Sequence, residues 1–220
     1  MEPTAPPSVP ADCFSLQPFS PSAFPPPPGP GHLATLTARR EALRADFARI
    51  LPPGARLVWE IGCGHGHFLT AYAAAHPAAL CVGVDQDAFR IRRAVKKQER
   101  AGLPNLHFLR AEARLFLDTL PSGVALAAVF ILFPDPWPKR RHHKHRLLQA
   151  DFFHALAERA GQGTPFFFRT DHEEYFREVE QLLAEHPAWR IALGASWPFE
   201  ETTVFEQKAP SHHSLIALRR

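Results

Sequence analysis

Asp135 stands in the string Phe133-Pro134-Asp135-Pro136-Trp137-Pro138, where three prolines fall within five residues. Each proline fixes its own φ and removes a donor, so the string predicts a stiff, non-helical loop that holds the carboxylate in one place. Such stiffness suits an active site. The next eight residues, Lys139-Arg140-Arg141-His142-His143-Lys144-His145-Arg146, carry five Lys or Arg and three His with no acid among them. A positive segment beside a fixed carboxylate predicts a phosphate backbone as partner, with Arg140, Arg141, Lys144 and Arg146 as phosphate contacts and Lys139 closest to the bound nucleotide. The intervening cations argue against a metal bound by His142, His143 and His145, and no metal is expected.

A second group lies upstream, in Glu60-Ile61-Gly62-Cys63-Gly64-His65-Gly66. Glycines there let the backbone turn tightly and approach a ligand, and a following helix would offer free N–H groups. A dinucleotide fingerprint of the G-x-G-x-x-G kind needs a glycine at position 67, which is His67, so the spacing is G-x-G-x-G. With an acid two residues before the first glycine, this pattern resembles motif I of the class I S-adenosylmethionine-dependent methyltransferases. Asp85 falls 23 residues after Gly62, close to the spacing of a ribose-binding acid. Glu112 occupies the corresponding place after the next strand and is positioned to accept from an adenine amino group.

These residues need a scaffold that brings strand ends together. Short apolar runs alternate with longer amphipathic ones, the pattern of βαβ units around a parallel sheet. Strands are predicted at 56–61, 80–84, 106–109, 126–132, 164–169, 189–193 and 214–218. Helices are predicted at 33–50, 67–75, 88–100, 113–119, 147–160 and 173–185. Asp85, Glu112 and Asp135 then sit just beyond the carboxyl ends of strands, and Glu60 near the end of one, where ligands of open α/β sheets bind. The expected fold is α/β and Rossmann-like: a mostly parallel seven-stranded sheet with helices on both faces, over residues 32–220. Residues 1–31 hold 11 of the 23 prolines and predict an extended or disordered lead-in.

The composition is that of a folded, water-soluble chain: 220 residues, 45% hydrophobic and 21% charged, with net charge +3. Three cysteines without C-x-x-C spacing imply neither a disulfide framework nor a zinc site. The sequence contains neither a membrane-span pattern nor a secretory-signal pattern, so a cytoplasmic protein is expected.

The proline loop, with the Arg-His-His-Lys stretch after it, resembles the signature of the bacterial tRNA (guanine-N7-)-methyltransferases. Thr170-Asp171 and Thr203-Val204-Phe205-Glu206-Gln207-Lys208 fit the same family, and the resemblance covers residues 33–220. It implies S-adenosyl-L-methionine as cofactor, tRNA as substrate, and methyl transfer to guanosine N7 in the variable loop. It places cofactor-binding acids at Glu60, Asp85 and Glu112, with Gly62, Gly64 and Gly66 beside them. Asp135 becomes the catalytic aspartate, next to the cofactor. Lys139, Asp171, Thr203, Val204, Phe205 and Glu206 become substrate-binding positions. The sequence departs from the family at Asp85, where Glu is usual, at Glu112, where Asp or Asn is more frequent, and at 211–214, which lack the usual glycine. An exocyclic-amino methyltransferase would need a second proline after Asp135-Pro136. A nicotinamide oxidoreductase would need the longer glycine spacing and a Tyr/Lys pair, whereas Tyr72 and Tyr175 are the only tyrosines.

Overall fold

The computed structural model describes residues 30–201 and 211–220. The expected lead-in and the Thr203–Glu206 positions therefore lie outside the described residues, except for the residues at 30–31 that open the first helix. Seven strands form one sheet: β1 (Arg56–Ile61), β2 (Leu80–Asp85), β3 (Leu106–Arg110), β4 (Ala125–Leu132), β5 (Pro165–Thr170), β6 (Trp189–Ile191) and β7 (His213–Arg219). Their order is β3-β2-β1-β4-β5-β7-β6. The first five are parallel, and β7 runs antiparallel between β5 and β6. Strand order reverses between β1 and β4, which opens a crevice at their carboxyl ends.

Alternation along β1 assigns the two faces. Leu57, Trp59 and Ile61 join a core with Phe47, Phe116, Phe153, Phe166 and Trp189, where the Trp59 and Phe116 rings stack 4.7 Å apart. Helices α1 (Pro30–Ile50), α4 (Ala113–Thr119), α5 (Ala150–Arg159) and α6 (Glu173–Glu185) contribute to this side. Val58 joins Phe68, Leu69, Phe108 and Phe130 in the opposite core, beneath α2 (His67–Ala75) and α3 (Ala88–Ala101). Glu60 has the same parity as Val58, so the pleat turns its carboxylate into that second, apolar layer.

The turn from β1 to α2 needs positive φ at Gly62, Gly64 and Gly66 (72°, 54° and 69°). A Cβ at Gly62 or Gly64 would meet nothing within 4 Å, whereas one at Gly66 would stand 2.4 Å from Phe108 Cζ and 3.0 Å from Ala94 Cβ. Gly66 is thus required by helix-on-strand packing. Gly66→Ala is expected to destabilise the protein by about 2–4 kcal/mol from overpacking and backbone strain together, read as a lowered midpoint in urea with unchanged slope. Gly64→Ala, which meets no neighbour, should cost only the strain.

One element differs from the sequence expectation. The run predicted to be helical from Leu147 begins at Ala150, because a 3₁₀ segment at Arg140–His145 precedes it, Arg146 and Gln149 have extended φ and ψ, and the Gln149 N–H donates to the Leu147 carbonyl at 3.0 Å in a tight turn. The Leu148 N–H is taken by the Tyr175 hydroxyl at 3.2 Å, outside any helical ladder. Among the described residues, no helix is long and apolar enough to cross a membrane.

Candidate active site

A cavity of about 690 Å³ opens at the sheet's switch point. Gly62 lines it from β1, Asp85, Gln86 and Asp87 from the end of β2, Ala111 and Ala113 from beyond β3, and residues 131–135 and Trp137 from β4 and the proline loop. Lys144, His145 and Arg146 close it from the basic segment. Gly62, Asp85 and Asp135 are thereby brought to one space, as the sequence predicts. Glu60, Gly64, Gly66, Glu112, Lys139 and Asp171 do not line it.

The proline loop is held under backbone strain. Phe133 and Trp137 have φ of 50° and 46°, and each precedes a proline. Bulky residues rarely adopt positive φ, and each such residue costs on the order of 1–3 kcal/mol and persists only where its surroundings enforce it. Three contacts supply the enforcement. The Phe133 N–H donates to the Arg169 carbonyl at 2.8 Å, fixing the loop to β5. Arg146 Nε donates to the Pro136 carbonyl at 2.7 Å. The Trp137 ring packs against those of His142 and His145, at centroid distances of 5.8 and 5.1 Å. Asp135 is exposed at the cavity wall between these anchors.

Arg146 corrects a sequence expectation. Its side chain is 1% exposed, its Nη1 pairs with Glu178 of α6, and its guanidinium lies 4.8 Å over the Tyr175 ring. A guanidinium enclosed in this way cannot meet an RNA phosphate; it is a strut between the proline loop and α6. His143 is also turned inward, 3.4 Å from Glu178 and 3.9 Å from Glu174. Lys139, Arg140, Arg141 and Lys144 stay exposed, so four of the five Lys and Arg remain available to a polyanion. Asp171 is exposed one residue beyond β5.

Asp85 uses both oxygens to shape the glycine loop: Oδ2 accepts from Gly64 N at 3.1 Å and Oδ1 from Asp87 N at 2.8 Å. Arg90, the first basic residue of α3, approaches to 3.6 Å. A carboxylate has about four lone-pair sites, so acceptance from a ribose remains open to Asp85. Glu112 instead meets Arg39 of α1 at 3.0 Å with both partners half exposed, and an adenine amino group would have to compete with that pair. No spacing signal predicts the Arg39, Arg90 or Glu178 contacts.

Glu60 is the most perturbed acid. Burial pushes its carboxyl from the ordinary 4.5 up to about 8; the Leu69 N–H, which donates to it, pulls the other way, and nearby Asp85 adds to the rise. Its Oε2 is buried without a hydrogen-bond partner among the described residues. An unfolded Glu60 ionises near 4.5 and the folded one near 8, so between these values the unfolded state binds fewer protons. Stability is therefore expected to fall as pH rises from about 5 to 8, and Glu60→Gln should flatten that dependence. Urea midpoints across this range measure it. Burial also raises the Cys63 and Cys81 thiols, the latter to about 12, so neither supplies a thiolate nucleophile.

An open α/β sheet in this strand order, with a glycine turn after β1 and an acid after β2, defines the class I methyltransferase fold. A solved aminoglycoside resistance methyltransferase, NpmB1, shares that fold at TM-score 0.55 and 16% identity, over 80% of this chain and 93% of its own. Residues 54–215 match the family described as "Putative methyltransferase". The tRNA (guanine-N(7)-)-methyltransferase of Geobacter metallireducens is 36% identical over 140 residues, 63% of this chain and 66% of that protein. Its counterpart in Treponema pallidum is 36% identical over 162 residues, 74% of this chain and 65% of that protein. The matches thus span just under two thirds of these relatives. The chain belongs to this methyltransferase family, alongside these bacterial proteins.

Proposed function

We propose that this chain transfers a methyl group from S-adenosyl-L-methionine to N7 of a guanosine in tRNA, in the cytoplasm and, by the family resemblance, in the variable loop. The observation that carries the reading is the strained Asp135 loop, anchored by three contacts at the switch point, between the glycine turn and an exposed basic rim. The names of its relatives support the same reaction.

The residues present fit the cofactor. The cavity volume is within the range of small-molecule sites. Gly62 and Gly64 leave open space where side chains would stand. The Asp85 carboxylate beside the turn suits a ligand bearing an ammonium and a sulfonium, and the orphaned Glu60 oxygen beneath it is an unused acceptor. Gly62 and Asp85, which line the cavity, would hold it, with Glu60 and Gly64 shaping the turn behind them, and when bound it supplies an electrophilic methyl group.

Guanine N7 has an in-plane lone pair, so its attack needs no proton removed and no strong base. Alignment is the main requirement, and a stiff loop reduces the entropy lost in achieving it. Methylation leaves positive charge on the purine. Asp135, accepting from the guanine N1–H and amino group, binds the charged purine more strongly than the neutral one and so favours the transition state. Asp171, with Glu206 in the same role, serves as a further acceptor for the purine or ribose. Lys139, Arg140, Arg141 and Lys144 bind the backbone and set no sequence preference.

A transcript in which every guanosine is 7-deazaguanosine replaces the nucleophilic nitrogen with C–H. It should bind within a few-fold of ordinary transcript and accept no methyl group. Methylation of the deaza transcript at an undiminished rate would overturn the N7 assignment.

A further inference from the structure

We propose that the exposed face of α3 is a second RNA-binding rim, which meets the tRNA backbone across the cavity from the basic segment 139–146. The proposal rests on tRNA being the substrate and adds where it lies.

Charge is segregated on this chain. Helix α3 carries Arg90, Arg92, Arg93, Lys96, Lys97 and Arg100 against one acid, Glu99, in 14 residues. Together with the segment 139–146 it holds 11 of the 25 Lys and Arg, and only one of the 22 Asp and Glu. The remainder of the chain, with 14 basic and 21 acidic residues, is net negative, so the modest overall +3 conceals two concentrated positive elements. Both border the same cavity: Arg90 lines it from α3, and Lys144 from the basic segment.

The cations of α3 differ in what engages them. Arg90 approaches Asp85, Lys97 Nζ is 2.6 Å from His67 Nδ1, and Arg93 lies 4.6 Å over the Phe89 ring. Arg92, Lys96 and Arg100 are exposed, and no ion pair or hydrogen bond engages their side chains among the described residues. They recur every four residues, so they form one stripe with steps of about 6 Å along the axis. Glu99, three residues after Lys96 and seven after Arg92, shares this face as its one acid. A solvated helix face normally balances both signs; a face with three unengaged cations against one acid instead fits a polyanion.

The chemistry of the helix selects RNA over a membrane. A helix that lies on a bilayer must offer it an apolar face. The apolar residues of α3 that would form such a face, Ile91 and Ala94, are buried against the protein, leaving Phe89 as its one exposed large apolar residue.

The test measures binding of bulk unmodified tRNA to the full chain across salt concentrations, for wild type and for Arg92→Gln/Lys96→Gln/Arg100→Gln. Each phosphate neutralised contributes roughly −0.7 to −0.9 to the log–log slope. The triple variant should lose about two to three units of slope and weaken for any tRNA sequence, with an unchanged melting midpoint and unchanged S-adenosylmethionine affinity. Equal slopes for the two proteins would remove α3 from the RNA surface while leaving the tRNA reading standing. A wild type whose tRNA affinity ignores salt would overturn both. Salt-dependent binding of the wild type to anionic vesicles, lost in the variant while tRNA slopes coincide, would assign the stripe to lipid and overturn the proposal.

Discussion

Asp135→Ala is expected to lower the rate of methyl transfer by roughly 10² to 10³, the usual loss when one preorganised group facing developing charge is removed. The affinity for S-adenosylmethionine should change little, because Asp85 and the glycine turn remain in place. Asp135→Asn tests the role more finely. An amide keeps one acceptor oxygen but neither the second acceptor nor the charge, so it should recover part of the binding of neutral guanine and little of the rate. Single-turnover kinetics with saturating cofactor, beside calorimetric cofactor binding, separate these outcomes. Loss of cofactor affinity in step with rate would move Asp135 from the purine to the cofactor.

The second large effect belongs to Arg146, whose contribution is indirect. Arg146→Met keeps much of the buried volume but removes the donor to Pro136 and the partner of Glu178. Losing this part-buried hydrogen bond from a charged donor costs on the order of 1.5–3 kcal/mol of stability. Release of one anchor lets Phe133 and Trp137 relax towards negative φ, carrying Asp135 with them. A displacement of about 1 Å is enough to cost on the order of 10² in rate. Arg146→Lys, which keeps a charge for Glu178 but lacks the planar fork, should recover stability more than rate. The salt dependence of tRNA binding should be that of wild type in both variants. A slope reduced by nearly one unit would mean that Arg146 does reach a phosphate, contrary to its burial.

These expectations mark what could be read from residue order. The parallel strands were legible because both of their faces are buried, which leaves short apolar runs between glycine, proline and charged punctuation. The proline loop was legible as rigid, since proline acts locally. That Phe133 and Trp137 would be driven to positive φ was not, because the enforcing contacts come from Arg169, 36 residues after Phe133, and Arg146, 10 residues after Pro136.

The same limit explains the corrections. A run of cations does not reveal which member is turned inward; Arg146 is, because Tyr175 and Glu178 of α6 wait behind it. Leu147 and Leu148 fit a helical period, yet Leu148 gives its N–H to Tyr175, and the helix starts later. In G-x-G-x-G the third glycine looks like the first two, but Gly66 is set by Phe108 of a strand 42 residues on. Glu112 has the right position after β3, and its pairing with Arg39 depends on how α1 lies against α4.

The central claim is that this site places a guanine N7 in line with a transferable methyl group. Its most direct test is to incubate the purified chain with S-adenosylmethionine labelled in the methyl group and bulk unmodified tRNA, digest the RNA to nucleosides, and identify the one that carries label. The account predicts label in 7-methylguanosine, incorporated at an initial rate roughly 10² to 10³ lower when Asp135→Ala replaces the wild type. Label in an N-methylated adenosine, or in any guanosine methylated elsewhere than N7, would contradict it.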